Sequence, residues 1–460
     1  MKKNIFIILI TDVFLLLLLL VTGCKKAEDV TSSTVKPEVI LKESRIKAIH
    51  LYHDTVYILN SQFTRQDGEQ LIIDEGTIIK AVPGFTANGT AGITISPGAT
   101  ILANGSSKNP IVFTSAASTG SQSESWSGLL IQGKAINNAR GASGEATDNS
   151  GILKYVRLEF ASLTLDAVGS GTTIENVMVS YTSKVDQYDP NPAFNFYGGS
   201  FNCRNLISYA CGGPADFYIT NGYTGKMQQI IAYRHPFFGS TGSAPYNAFA
   251  GVYIENNAGN PADALPVTNP VISNLTVIGP DGQPGSAVAY ANTGLTNNAA
   301  LVTTGNTRFQ IRNSLILGFP AGAWNLGDSL TGTALQGNES QLTNTVFHCS
   351  DTTRTFFVDP AVYANFTSSA LRNFILQPVF KNQLFAGVAN FAFQDPFNYE
   401  KLDPLPKSGS PVLKTGDYTG AYFADPFFIK ENYLGALGGD NWWLGWVNAT
   451  PLKTNYNFPE

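Results

Sequence analysis

The chain has 460 residues, of which only 14% are charged, and it is rich in glycine (44), proline (24) and aromatic side chains (29 Phe, 19 Tyr, 5 Trp). A hydrophobic fraction of 43% with a net charge of −5 excludes a disordered chain, which combines low hydrophobicity with high charge. Twenty-nine basic against 34 acidic residues leave no surplus of cations to neutralise phosphates, so nucleic acid is excluded as a partner.

Lys2 and Lys3 precede an apolar run, residues 5–21, broken by Thr11 and Asp12. Its uninterrupted part, residues 13–21, is too short to cross roughly 30 Å of hydrocarbon as a helix. A signal peptide is expected over residues 1–23. The sequence Val21-Thr22-Gly23-Cys24 resembles the lipobox of bacterial lipoproteins. The resemblance implies cleavage before Cys24, lipidation of its thiol and acylation of the new N-terminus with a fatty acid such as palmitate. Two or more chains anchor stably where one is marginal. Lys25, standing where an aspartate would retain a lipoprotein at the inner membrane, implies the outer membrane and exposure at the cell surface. Residues 24–45, without apolar periodicity, are expected to be a lipidated, flexible tether.

Short β-branched runs punctuated by Gly, Asn and Pro follow: residues 71–80 (LIIDEGTIIK), 92–103 (GITISPGATILA), 110–115 (PIVFTS) and 128–133 (GLLIQG). These are strands. A phrase with Asn or Gln between apolar residues then recurs around Asn176, Asn205, Gln229, Asn274, Asn313 and Asn344. Its shortest intervals lie in the twenties, with variable insertions. A parallel β-solenoid gives that period, whereas a propeller repeats at roughly 40 residues or more. The repeated amide suits a tight left-handed corner and, at about 4.8 Å per coil, a ladder of amide hydrogen bonds. Asn205 and Asn274 are therefore expected to be buried, stacked amides. Cys203, Cys211 and Cys349 are too few and too far apart for a disulfide framework and are expected to be free and buried.

The segments QLIIDEGTIIK, TISPGATILANGSSKNPIVFTSA, SWSGLLIQGKAIN, NSGILKYVRLEFAS, VGSGTTIENVMVS and FNFYGGSFNCRNLISYACG resemble successive coils of a family of right-handed parallel β-helix lipoproteins of the Gram-negative cell surface, and YLGALGGDNWWLGW resembles its closing motif. The resemblance implies an all-β, right-handed parallel β-helix (solenoid) over 46–348 with inserted loops, then terminal coils and an aromatic C-terminal cap over 349–460. The family's paired aspartates are replaced here by Asn191-Pro192 and Gly213-Pro214, so no role that needs those acids carries over.

Inserts follow the repeated amide at a nearly constant offset and are expected to stack as one wall. That wall would gather Asp186, Tyr188 and Asp189, then Asp216, Tyr218 and Tyr223, then Arg234, His235 and Tyr246, and Trp324. Aromatic faces beside charged groups suit carbohydrate. Each residue has a structural alternative: aromatic side chains pack loops onto coils, and Arg234 with Asp216 would form a surface ion pair. No metal or cofactor site is expected, because CxxC, HExxH, GxSxG and phosphate-loop patterns are absent. No catalytic residue is assigned either. The expected function is noncatalytic binding of extracellular polysaccharide or of a surface protein, by a chain held to the outer membrane through its lipid anchor. The alternatives are a β-helix polysaccharide lyase or glycoside hydrolase, with Asp186 and Asp216 as the acid pair or Arg234 as a base, and a structural adhesin. Trp442, Trp443 and Trp446 are expected to pack the cap, the alternative being a sugar platform.

Overall fold

Side chains alternate across a strand, so a run such as Gln70–Ile73 turns Leu71 and Ile73 to one face and Gln70 and Ile72 to the other. Stacking such runs in parallel and in register puts the apolar set of every coil on the same inner face. The computed structural model, which describes residues 35–86, 89–117, 126–182, 192–211, 215–234, 250–279, 299–319, 322–358, 360, 366–439 and 441–456, shows that arrangement. Residues 37–454 form one compact unit; of the other, residues 1–36 with 455–460, almost all lie outside the described residues.

Three parallel stacks wind into a right-handed solenoid, and its third stack, with ten strands, numbers the coils. One inward row of the first stack runs Leu51, Ile73, Ala103, Leu153, Ile174, Cys203, Met227, Ile272, Ile311 and Leu342. Every member is buried. Cys203 thus fills a core position as a small apolar residue, and it, Cys211 and Cys349 are all free and buried.

From coil 4 onward the corner between the first and second stacks is made by one residue at positive φ: Tyr155, Asn176, Asn205, Gln229, Asn274, Asn313 and Asn344. All six amides expected at this corner are there. Their hydrogen bonding differs from a continuous ladder. Among the described residues the one bond between two of these corner amides is Asn344 Nδ2 to Asn313 Oδ1, 2.8 Å. Asn274 is fully buried but donates to the Tyr433 and Gly435 carbonyls, while Asn205 is half-buried and its Oδ1 accepts no bond. The reason is a strap, residues 393–454, that packs along the second stack and offers closer partners at this corner. Arg204 donates to the Phe427 carbonyl (2.7 Å), Gln228 to that of Ile429 (2.7 Å) and Tyr181 to that of Ala449 (3.0 Å). Gly435 comes so close that a Cβ there would lie 2.5 Å from Leu315 Cδ1.

The strap also relocates the tryptophans. Trp446 meets Tyr155 of coil 4 edge-on at 5.8 Å, on the flank of the solenoid, whereas the C-terminal end is covered by phenylalanines around a helix, Ser368–Ile375. Phe374 packs on Phe366 and Phe380, and Phe385 on Phe391. Asn382 satisfies the last coil, accepting from Thr345 N and donating to the Leu342 carbonyl.

At the other end, part of the stretch expected to be tether is structured. Glu38–Ile40 pairs in parallel with Val56–Leu59, Leu41 is buried, and the fully buried Arg65 donates to the Ser44 (2.7 Å) and Ile46 carbonyls. Only one apolar side chain enters the core there, so this cap leaves no periodic signal.

Candidate functional site

The inserts leave the coils between the second and third stacks, at the shared corner the spacing predicts. Asp186, Tyr188, Asp189, His235 and Tyr246 lie outside the described residues, as does Cys24. The other five fall into two groups.

Four face the interior rather than a ligand. Trp324 belongs to the inward row of the third stack, between Leu301 and Phe356, and its indole donates to Thr303 Oγ1 (3.0 Å). Tyr223 is fully buried against Phe196 and Phe201, with its hydroxyl on the Phe201 carbonyl (2.9 Å). Asp216 and Arg234 do pair, at 2.9 Å, but inside the solenoid, 0% and 1% exposed. The turn into the third stack explains this: Ala215 pairs with Ala250 and Phe217 with Val252, so Asp216 stands opposite Gly251, where a Cβ would point at Val277 and Ala232 of the core. Ser208 donates to Asp216 (2.6 Å), and Arg234 donates to the Cys211 (2.9 Å) and Ala250 (2.7 Å) carbonyls. Burial pushes the Asp216 carboxyl above its ordinary range, against the opposing pull of Arg234 and Ser208. The pair ties the second stack to the third and is a structural element.

Tyr218 alone of the five stays on the outer face, and it is not isolated. The outward row of the third stack reads Thr164, Asn195, Tyr218, Tyr253, Val302 and Asn325. Tyr218 meets Tyr197 of coil 5 at 5.9 Å and Tyr253 of coil 7 at 5.6 Å. The three rings are half-buried, each offering part of its surface. Glu255, two residues past Tyr253 on the same face, accepts the Tyr218 hydroxyl on Oε1. Burial raises its carboxyl above the ordinary range, with the Tyr218 bond opposing, and burial beside Glu255 and Asp328 pushes the Tyr253 hydroxyl up to about 12.

The neighbouring acids are engaged. Asp166 receives two bonds from Arg140 (2.9 and 2.5 Å) and one from Asn137 (2.8 Å). Asp328 caps the helix Ser329–Gln336, accepting from Leu330 N (2.8 Å) and Thr331 N (3.0 Å). Among the described residues no group of three or more His, Cys, Asp or Glu could hold a metal ion.

Tyr197, Tyr253 and Glu255 are not among the expected site residues, because the third stack carries no amide phrase that would mark them. A signal was present in FNFY, FYIT and VYIE, where inward apolar residues alternate with outward tyrosine, asparagine or glutamate.

No curated protein and no solved structure matches this chain. The family model described as a pectate-lyase like beta helix domain matches residues 43–373, which takes in every complete coil and the whole tyrosine face. Three parallel stacks in continuous register, with that match over most of its length, make the chain a member of the pectate-lyase-like β-helix domain family.

Proposed function

We propose that the protein binds a glycan along the outer face of its third stack, on Tyr197, Tyr218 and Tyr253. The observation that carries this is the unbroken run of three half-exposed tyrosine rings over coils 5 to 7 beside the carboxylate of Glu255. Aromatic faces take up sugar C–H surfaces and the carboxylate accepts hydroxyls. The ring centroids stand 5.9 and 5.6 Å apart, close to the length of one pyranose unit, so a chain lying along the solenoid axis meets about one ring per sugar. The test is a glycan array probed with residues 25–460, followed by product analysis on each hit. Retention of intact glycan, lost on Tyr218→Ala and Tyr253→Ala, supports binding.

Cleavage is the second reading, favoured by the family and by a carboxyl raised as a general acid's would be. Against it, the two other acids of this face are committed to Arg140 and to a helix cap, leaving Glu255 without a catalytic partner among the described residues. The N-terminal features extend the proposal to an outer-membrane lipoprotein displaying this face at the cell surface. Cys24→Ser should then move the protein from the membrane to the soluble fraction, since the acyl chains supply the anchoring energy. Equal membrane retention of the variant would refute the anchor and leave the binding face untouched.

A further inference from the structure

Glu255 is 9% exposed, yet no Lys, Arg or His pairs with it among the described residues. Among the described residues its carboxylate accepts one hydrogen bond, from the Tyr218 hydroxyl to Oε1. A carboxylate taken that far from water normally acquires a cation or gives up its charge. The other acids of the face follow the first course, Asp166 with Arg140 and Asp328 with a helix N-terminus. The surroundings of Glu255 are nonetheless suited to a cation. Tyr218 and Tyr253 stand beside it, and aromatic faces attract positive charge, while Gly305 lets the next coil pass close: a Cβ there would stand 3.3 Å from the Glu255 Cβ and 3.8 Å from Oε2, in contact with both.

Resting on the glycan reading above, we infer that Glu255, Tyr218 and Tyr253 form a seat for a protonated amine carried by a sugar unit of the bound polysaccharide. The ammonium donates to Glu255 Oε2 and lies over the tyrosine faces, while neighbouring sugars continue along the row. A polyuronate is disfavoured on the same grounds. Its carboxylates would meet Glu255 unscreened, and the Arg140 guanidinium is already held by Asp166 at 2.5 Å. The family fold is thus fitted here with the opposite charge preference from one that grips an acidic polysaccharide.

Titration calorimetry of residues 25–460 near neutral pH, with β-linked glucosamine oligomers, N-acetylglucosamine oligomers of equal length and oligogalacturonate, tests this. Glucosamine oligomers should bind. N-acetylation, which removes the charge, and Glu255→Gln, which keeps the Tyr218 contact, should each weaken binding about tenfold or more, with the thermal midpoint of the variant unchanged. Equal binding of acetylated and free oligomers, insensitive to Glu255→Gln, would overturn the amine seat while leaving the glycan face standing. Preferential binding of oligogalacturonate would overturn the seat as well. Failure of every oligomer to bind, together with an array on which no glycan is retained, would overturn both.

Discussion

At the scale of single residues, the buried polar groups carry more of the structure than the surface charges do. Asp216 and Arg234 are sealed in the corner between the second and third stacks, and removing one partner strands the other in the core. Asp216→Ala should cost about 3–5 kcal/mol in denaturant unfolding, whereas the double change Asp216→Leu with Arg234→Met should recover much of that loss. A single-variant cost under about 1 kcal/mol would mean that water reaches the pair. Asn274 separates two demands placed on one side chain, positive φ and hydrogen bonds to the strap. Asn274→Gly keeps the backbone freedom and loses the bonds, at about 1–3 kcal/mol; Asn274→Ala should lose about 1 kcal/mol more for its left-handed conformation. Equal effects of the two would show that backbone strain at this corner is negligible.

At the scale of elements, the coils were legible in the sequence and the strap was not. A coil repeats, so the Asn phrase fixes its corner and the alternation fixes its inward row; Asn176, Asn205 and Asn274 all stand where the spacing puts them. The strap occurs once, follows no period and pairs through backbone carbonyls that sequence does not mark. The same limit hid the site. Asp216 is buried at the turn into the third stack, opposite Gly251, and no pattern of residue types announces it. One carboxylate clips the strap to the coils: Asp417 is held by Lys381 (2.8 Å) and Arg312 (3.5 Å). Burial opposes its charge, but the bonds from Lys381 and Thr419 and the field of Arg312 outweigh that and hold its pKa below the ordinary carboxylate range. A depressed pKa contributes stability that is complete above the unfolded value, about 3.9, and is lost as pH falls through the folded one. Asp417→Asn should therefore lower stability by about 1–3 kcal/mol at neutral pH and flatten its decline below about pH 4. An acid limb unchanged in the variant would assign that decline to other groups.

At the scale of the whole molecule, a solenoid's stability is a sum of coils and coil-to-coil contacts, so its weak points are its ends, where strand edges lack a next coil. The C-terminal edge is closed by the helix Ser368–Ile375 and its phenylalanines. The N-terminal edge is closed with far less material. Glu38–Ile40 covers only the second stack, and the inward-facing Val39 remains 48% exposed because no coil lies beyond it among the described residues. Residues 41–46 cross to the third stack, held there by the Arg65 guanidinium on the Ser44 and Ile46 carbonyls and by Glu43 accepting from Thr64 N. One fully buried side chain thus fastens the crossing to the edge strand Gln62–Arg65. Replacing it by Arg65→Leu keeps the volume roughly apolar but removes both donors, at about 3 kcal/mol for bonds from a charged group. It should also free the cap and expose the first edge, where two copies can pair strand to strand. Sedimentation velocity should then show concentration-dependent association of the variant while the parent protein stays monodisperse. A variant that loses stability yet remains monomeric at every concentration would show that the covering of this end does not depend on Arg65.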